Sequence, residues 1–162
     1  MKTTEKTNAL RIVESAGIPV CVHAYETADG LIDGKSMAQK IAKPQDMVFK
    51  TLVTVYPPDK LYFVFVVPVS GELDLKRAAS AAKVKSVEML PLKQLFPLTG
   101  YVHGGCSPVG MKKSFPTFID ESALCWDSIV CSAGKLGLAM EVPPESLRQI
   151  VNGEFSALVR EN

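Results

Sequence analysis

The sequence predicts an α+β domain organised around an antiparallel hairpin, and three observations carry that expectation. Residues 47–56 alternate in character, residues 61–69 are almost continuously apolar, and only the turn Tyr56-Pro57-Pro58-Asp59-Lys60 separates them. Helical periodicity is confined to the two ends and to insertions between strand-like runs. No internal repeat, low-complexity segment or linker divides the 162 residues, a length that fits one domain over 1–162. Strands through most of the chain, with helices at the ends and insertions, make one compact α+β unit.

Residues 4–16 read as the first helix. Ala9, Ile12, Val13 and Ala16 recur at i, i+3, i+4 and i+7, Thr3 or Thr4 can cap the start, and Gly17 suits C′. From 19 to 25, Val20, Val22 and Ala24 alternate with Cys21, His23 and Tyr25, as in a half-buried strand. His23 and Tyr25 are expected to pack on that sheet with their polar tips satisfied. Residues 26–34 form a polar loop, and Ser36-Met37-Ala38-Gln39 has the form of a capping box opening a short helix that stops near Lys43, ahead of Pro44.

In the 47–56 strand, Val48, Lys50, Leu52, Thr54 and Tyr56 share a face, which puts a lysine mid-strand among apolar neighbours. Such a lysine either snorkels to water along a packed stem or, partly desolvated in a pocket, binds a phosphate or a developing anion. The 61–69 run reads as a strand buried on both faces. Asp74 caps a helix with Leu75, Ala78, Ala79 and Ala82 inward; residues 85–90 are a short strand, and 91–96 a short helix with proline in its first turn. Strands are expected at 115–120, 128–132 and 138–142, the last two joined by a hairpin turn at Gly134-Lys135-Leu136-Gly137. Residues 143–151 form an amphipathic helix with Leu147, Ile150 and Val151 inward, and 154–162 a tail or short docking helix.

Composition excludes several classes of function. The chain is 47% apolar and 22% charged, with formal net charge +1, so no global field announces a nucleic-acid partner and DNA is not expected. A nucleic-acid partner would need a local basic patch or a second protein. No apolar run approaches the ~20 residues of a membrane span, and the polar start Met1-Lys2-Thr3-Thr4-Glu5-Lys6 is unlike a signal peptide; a cytoplasmic location is expected. Cys21, Cys106, Cys125 and Cys131 form no C-x-x-C pair, and His23 and His103 complete no zinc spacing, so no metal is expected. Cys21, Cys125 and Cys131 are expected to be buried thiols, and Cys106 alone lies in a loop that can expose it.

That loop, Thr99 to Lys113, is the least ordinary stretch: four glycines and a proline fall within eleven residues. It is either a long turn or a set of backbone N–H groups that can cradle an anion. Gly105-Cys106-Ser107-Pro108-Val109-Gly110 lacks the dinucleotide spacing, no G-K-[ST] closes a P-loop, and Ser132-Ala133-Gly134 is no nucleophile elbow. What remains is Lys50 on a strand, an N–H-rich loop, and Lys112-Lys113 beyond it. That set suits a site that holds a carbonyl or phosphate and has no strong base or nucleophile of its own.

These residues resemble a known family. Phe49-Lys50-Thr51-Leu52-Val53 resembles the F-K-T-L strand of the YbaK family of aminoacyl-tRNA deacylases. Thr99-Gly100-Tyr101 through Gly104-Gly105, then Ser107-Pro108-x-Gly110-x-Lys112-Lys113, is similar to its glycine loop. Gly71-Glu72-Leu73-Asp74-Leu75-Lys76, Phe118-Ile119-Asp120 and Ser132-x-Gly134-Lys135-x-Gly137-Leu138 follow in the family's order. The resemblance implies a curved, mixed but mostly antiparallel sheet, partly barrel-like and flanked by helices. It implies a free-standing editing domain that hydrolyses mischarged tRNA in trans, with no metal or organic cofactor. The YbaK type removes cysteine from tRNA(Pro), and relatives clear alanine or other small amino acids.

The resemblance also implies roles. The thiol of a cysteinyl substrate attacks its own ester carbonyl and leaves as a thiolactone, so the enzyme supplies position and charge stabilisation. Lys50 would hold the 3′-terminal nucleotide or stabilise negative charge, and backbone N–H groups near Gly104 and Gly105 would face the carbonyl. Tyr25, Ser132, Gly134, Tyr101 and Ser107 belong to the substrate-binding set, and Lys112, Lys113 and Lys135 to the tRNA contacts. So few lysines give weak salt-resistant affinity, and prolyl-tRNA synthetase is the implied partner supplying tRNA specificity. Two positions depart from the cysteine-specific pattern: Ala139 stands where it has aspartate, and Leu136 where it has arginine. Three other readings stay open: a deacylase for another small amino acid such as alanine, a (thio)esterase using Cys106 as nucleophile, and a non-catalytic module binding charged tRNA ends or a synthetase.

Overall fold

The computed structural model describes residues 6–161. In chain order its main elements are α1 (Asn8–Ser15), β1 (Cys21–Ala24), α2 (Gly34–Lys40), β2 (Phe49–Tyr56), β3 (Leu61–Pro68), α3 (Leu75–Ala82), β4 (Glu88–Met89), α4 (Leu95–Thr99), β5 (Thr117–Asp120), β6 (Ile129–Lys135), β7 (Leu138–Val142), α5 (Pro144–Ile150) and β8 (Glu154–Ser156).

The expected hairpin is the centre of the larger sheet. β2 and β3 pair antiparallel from Phe49 opposite Pro68 to Tyr56 opposite Leu61, joined by the 3₁₀ turn Pro57–Asp59. β4 adds antiparallel to β2, while β5 joins β3 and β8 joins β5 in parallel, giving the order β4-β2-β3-β5-β8. The smaller sheet, β1-β7-β6, is antiparallel throughout. A parallel bridge between Val48 and Val130 links the two sheets, which do not close into a barrel.

Period-2 alternation decides what each face of β3 buries. Val64 and Val66 turn towards the smaller sheet and meet Ile129, Cys131 and Met140, with Leu10 and Val13 of α1 closing that core. Phe63, Phe65 and Val67 turn the other way, under Ala78 and Ala79 of α3, where Phe65 stacks on Phe118 at 5.4 Å between centroids. A third cluster seats Met37 and Ala38 of α2 on Val69, Val130 and Ala139.

Several local expectations are corrected. α1 starts at Asn8 with Thr7 as its cap, the Thr7 hydroxyl accepting from the Leu10 N–H; Thr3 and Thr4 lie outside the described residues. Asp33, not Ser36, caps α2: its carboxylate accepts from both the N–H and the hydroxyl of Ser36, because the chain is still extended at Asp33 and turns helical at Gly34, leaving Ser36 inside the first turn. Leu75 is exposed instead of facing inward. The tail forms the strand β8, not a helix; three residues carry no period, and pairing with β5 decides their conformation. Of the three thiols expected to be buried, Cys131 is, but Cys21 and Cys125 are exposed, and Cys106, whose loop could have exposed it, is buried. Cys21 lies on an edge strand and Cys125 ends a 3₁₀ turn, whereas the glycine loop folds inward over Cys106.

Candidate active site

A cavity of about 410 Å³ opens where β2 lacks a neighbour. β3 pairs with β2 along its whole length, but on the other edge β4 reaches only Thr54 and Val55, and the bridge to β6 engages only Val48. The intervening residues Phe49–Leu52 line the cavity. Opposite them stand the start of α2, the loop residues His103, Gly104 and Cys106, and Ser132 of β6. The volume is in the range of small-ligand sites, and the apolar walls with few polar groups are typical of them.

Lys50, opposite Val67 in the ladder, is half-buried and enters this space. Among the described residues its ammonium makes no ion pair or hydrogen bond, unlike Lys40 and Lys43, which are both paired. Beside it, the Thr51 hydroxyl oxygen is buried without a hydrogen-bond partner. Leaving such a group unsatisfied costs about 1–3 kcal/mol, and the residue that carries it lines the cavity. The Ser132 hydroxyl accepts from the Gly134 N–H at 3.1 Å across a β-bulge, which leaves its own proton to donate. Asp33 and Lys35 line the same cavity, and hydrogen bonds from Ser36 hold the Asp33 carboxyl below its ordinary range.

The glycine loop is braced from within. The Tyr101 hydroxyl donates to the Val109 carbonyl, and the Ser107 hydroxyl accepts from the Val109 N–H at 3.2 Å. Gly104 has φ +86°, and a Cβ there would come 2.8 Å from Leu136 Cδ2, so both the backbone and the space demand glycine. Gly105 lies against the β6–β7 turn, where a Cβ would meet the Leu136 nitrogen at 3.0 Å and the Lys135 carbonyl carbon at 3.2 Å. Its N–H donates to the Val102 carbonyl at 3.0 Å, whereas the Gly104 N–H has no backbone acceptor among the described residues.

Of the residues singled out in the sequence, Lys50, Gly104, Ser132 and Cys106 come together at this cavity, and Gly105 supports its wall from behind. Tyr101 and Ser107 are buried inside the loop, and Gly134 lies under the Tyr101 ring, its missing Cβ 2.9 Å from Cε1. Tyr25 packs at the α2 cluster outside the lining, its phenol raised by burial, with the Gly137 backbone and Lys40 partly offsetting. The Lys112 ammonium sits 5.3 Å above the Phe96 ring; Lys113 lines a separate cavity beside Ile12 and Ile150; Lys135 is exposed on the β6–β7 turn. Cys106 is almost fully buried, and desolvation pushes its thiol up to about 12, a hydrogen bond from Thr99 only partly offsetting it. Thr51, Asp33, Lys35 and His103 were not singled out by the sequence; Thr51 alone carried a signal there, as the residue following Lys50 in the strand motif.

Among the described residues no helix is long and apolar enough to cross a membrane. The chain is 42% identical over 157 residues to EbsC of Enterococcus faecalis, a proposed Cys-tRNA(Pro)/Cys-tRNA(Cys) deacylase, covering 97% of this chain and 95% of that protein. Its fold is similar to the crystal structure of a proposed trans-editing enzyme for prolyl-tRNA synthetase, with TM-score 0.83, 22% identity, and 98% and 100% of the two chains covered. It is similar also to a crystal structure of a hypothetical protein, with TM-score 0.86, 16% identity, and 95% and 100% covered. The sequence profile of the aminoacyl-tRNA editing domain matches residues 33–150, which run from the cap of α2 to the end of α5 and include every residue lining the cavity except Ile32. The chain belongs to the aminoacyl-tRNA editing domain family.

Proposed function

We propose that this chain is a trans-editing deacylase that clears mischarged tRNA, with cysteine on tRNA(Pro) as its favoured substrate. One observation carries the reading: an ammonium with no protein partner among the described residues, Lys50, stands in a cavity whose only thiol is buried and held protonated. Such a site positions and stabilises charge but offers no thiolate of its own. The nucleophile is then the substrate's own thiol. It loses its proton and attacks the ester carbonyl; the bond from carbonyl carbon to ribose oxygen breaks, that oxygen takes a proton, and cysteine leaves as a thiolactone for water to open. Lys50 holds the terminal nucleotide or the oxyanion, and the Gly104 N–H and the Ser132 hydroxyl, on residues lining the same cavity, serve as further donors. A Cys106 nucleophile is disfavoured by the same buried, raised thiol.

EbsC supports cysteine as the amino acid cleared, and the likeness to a trans-editing protein of prolyl-tRNA synthetase is one of fold. Ala139 is fully buried beside Ser132 in the ladder and Leu136 packs on Gly104, so both departures from the cysteine-specific pattern adjoin residues of the cavity lining, and the choice of amino acid is where they act. Lys112, Lys113 and Lys135 lie beside different elements, which favours weak tRNA binding by the chain alone, tRNA selection by prolyl-tRNA synthetase, and work in the cytoplasm where charged tRNA is used. The test is a panel of mischarged tRNAs, at least Cys-tRNA(Pro) and Ala-tRNA(Pro), with wild type and Lys50→Ala. Rapid loss of cysteine that depends on Lys50 supports the reading. Faster loss of alanine reassigns the substrate, and charged tRNA that is bound but left intact makes the chain a binding module.

A further inference from the structure

A second group of reactive side chains lies outside the cavity, on the smaller sheet. Cys21 and His23 are two residues apart on the edge strand β1 and therefore share a face, and Glu141 of β7 is paired directly opposite Cys21. The thiol sulfur, an imidazole nitrogen and a carboxylate oxygen of the three all lie within 4.8 Å of one another. His23 Nε2 is 2.9 Å from one Glu141 oxygen, and the Ser128 hydroxyl donates to the other at 2.6 Å. Cys21 is exposed, so the group is open to solvent.

We infer that Cys21, His23 and Glu141 form a site for a zinc-type divalent cation, with solvent completing the fourth position. One thiolate, one imidazole and one carboxylate make a borderline-soft donor set that suits Zn²⁺ and not the all-oxygen preferences of Mg²⁺ or Ca²⁺. Tetrahedral bonds of about 2.0–2.3 Å place ligand atoms roughly 3.3–3.8 Å apart. From the spacing observed here, that requires side-chain rotation only, because the strand register already fixes the three backbones. Ser128 orients the carboxylate as an outer hydrogen-bond partner does in metal sites. The cation replaces the hydrogen bond between His23 and Glu141, and the Cys21 thiol gives its proton to solvent.

Lys43 works against the site. Its ammonium is 3.3 Å from the Glu141 oxygen that faces His23, so it competes for that carboxylate and repels an incoming cation. The site is distinct from the cavity: His23 pairs with Ala139, which pairs with Ser132, so two strand spacings, about 10 Å, separate it from the cavity wall. The inference therefore does not rest on the deacylase reading.

The experiment titrates chelator-treated protein with Zn²⁺ against a chromophoric chelator, and separately with Co²⁺ while recording the spectrum. One equivalent of Zn²⁺ is expected to bind, and Co²⁺ to produce a thiolate-to-cobalt charge-transfer band. Cys21→Ser, at an exposed position that leaves the fold intact, should abolish the band and weaken Zn²⁺ at least tenfold. Cys125→Ser, which removes the other exposed thiol, should leave both unchanged. Lys43→Ala should tighten Zn²⁺ severalfold, a gain that general loss of structure cannot produce. Absence of saturable binding, binding that survives Cys21→Ser, or a band that disappears with Cys125→Ser overturns the site.

Discussion

The phenol of Tyr101 donates to the carbonyl of Val109 at 2.5 Å, and this bond ties the two ends of the glycine loop together. Burial pushes the phenol up to about 12, so the donor stays protonated throughout the working pH range. Tyr101→Phe keeps the ring over Gly134 but leaves the Val109 carbonyl without its partner. It should cost about 1–3 kcal/mol in denaturant unfolding and lower turnover by loosening the cavity wall. Unchanged stability would show that the loop does not depend on this bond.

Lys50→Ala should reduce deacylation about a hundredfold or more, the scale on which an electrostatic contact to the reacting group is felt. The melting temperature should barely move, because the ammonium holds no partner among the described residues. Lys50→Arg retains the charge in a different shape, so partial recovery would separate charge from geometry. Wild-type rates in Lys50→Ala would remove Lys50 from the site.

Alanine at the two adjacent glycines should behave differently. At Gly104 the added Cβ meets the flexible end of Leu136, and positive φ adds about 1–2 kcal/mol of backbone strain. Leu136→Ala should therefore recover part of the loss in Gly104→Ala. At Gly105 the Cβ meets peptide atoms of Lys135 and Leu136, which cannot give way, and the same second change should recover nothing. Equal rescue of both variants, read by thermal unfolding, would contradict the contacts described.

Alkylation of the native protein should modify Cys21 and Cys125 and spare Cys106 and Cys131, both of which burial holds at about 12. Cys106→Ala should retain most activity with a modest loss of stability. A folded but inactive Cys106→Ala protein would instead promote a thiol nucleophile.

The Asp33 cap should carry a pH signature. Hydrogen bonds from Ser36 lower the folded-state carboxyl below its ordinary 3.8, so the cap's contribution is fully present above that value and is lost as pH falls below it. Asp33→Ala should cost about 1 kcal/mol near neutrality, and the difference from wild type should shrink in strong acid. Asp33→Asn, which caps without titrating, should show a flatter acid limb. A penalty for Asp33→Ala that is constant with pH would exclude the charged cap.

The β2–β3 hairpin could be read from the chain because both signals were local: alternation in one run, continuous apolarity in the next, and a rigid turn between. Lys50 stood out for the same reason, as a charge that broke a strand's pattern. The burial of Cys131 could be read, but not the exposure of Cys21 and Cys125 or the burial of Cys106, because these depend on which strand ends at an edge, where a turn stops and how the glycine loop folds, and none of that is written in a residue's neighbours. Thr51 carried only its place after Lys50 in the strand motif; its hydroxyl becomes notable only once the fold leaves it buried without a partner. Glu141 and His23 are 118 residues apart, so spacing rules for metal ligands could not join them.

The contact between Gly105 and the Lys135–Leu136 peptide has a consequence in time. A loop seated on a β-turn with no side chain between them moves with the sheet, so the wall that faces the substrate does not swing as a lid. Amide exchange in residues 101–109 should accordingly track that of β6 and β7, and turnover should be insensitive to solvent viscosity unless tRNA arrival or departure sets the pace.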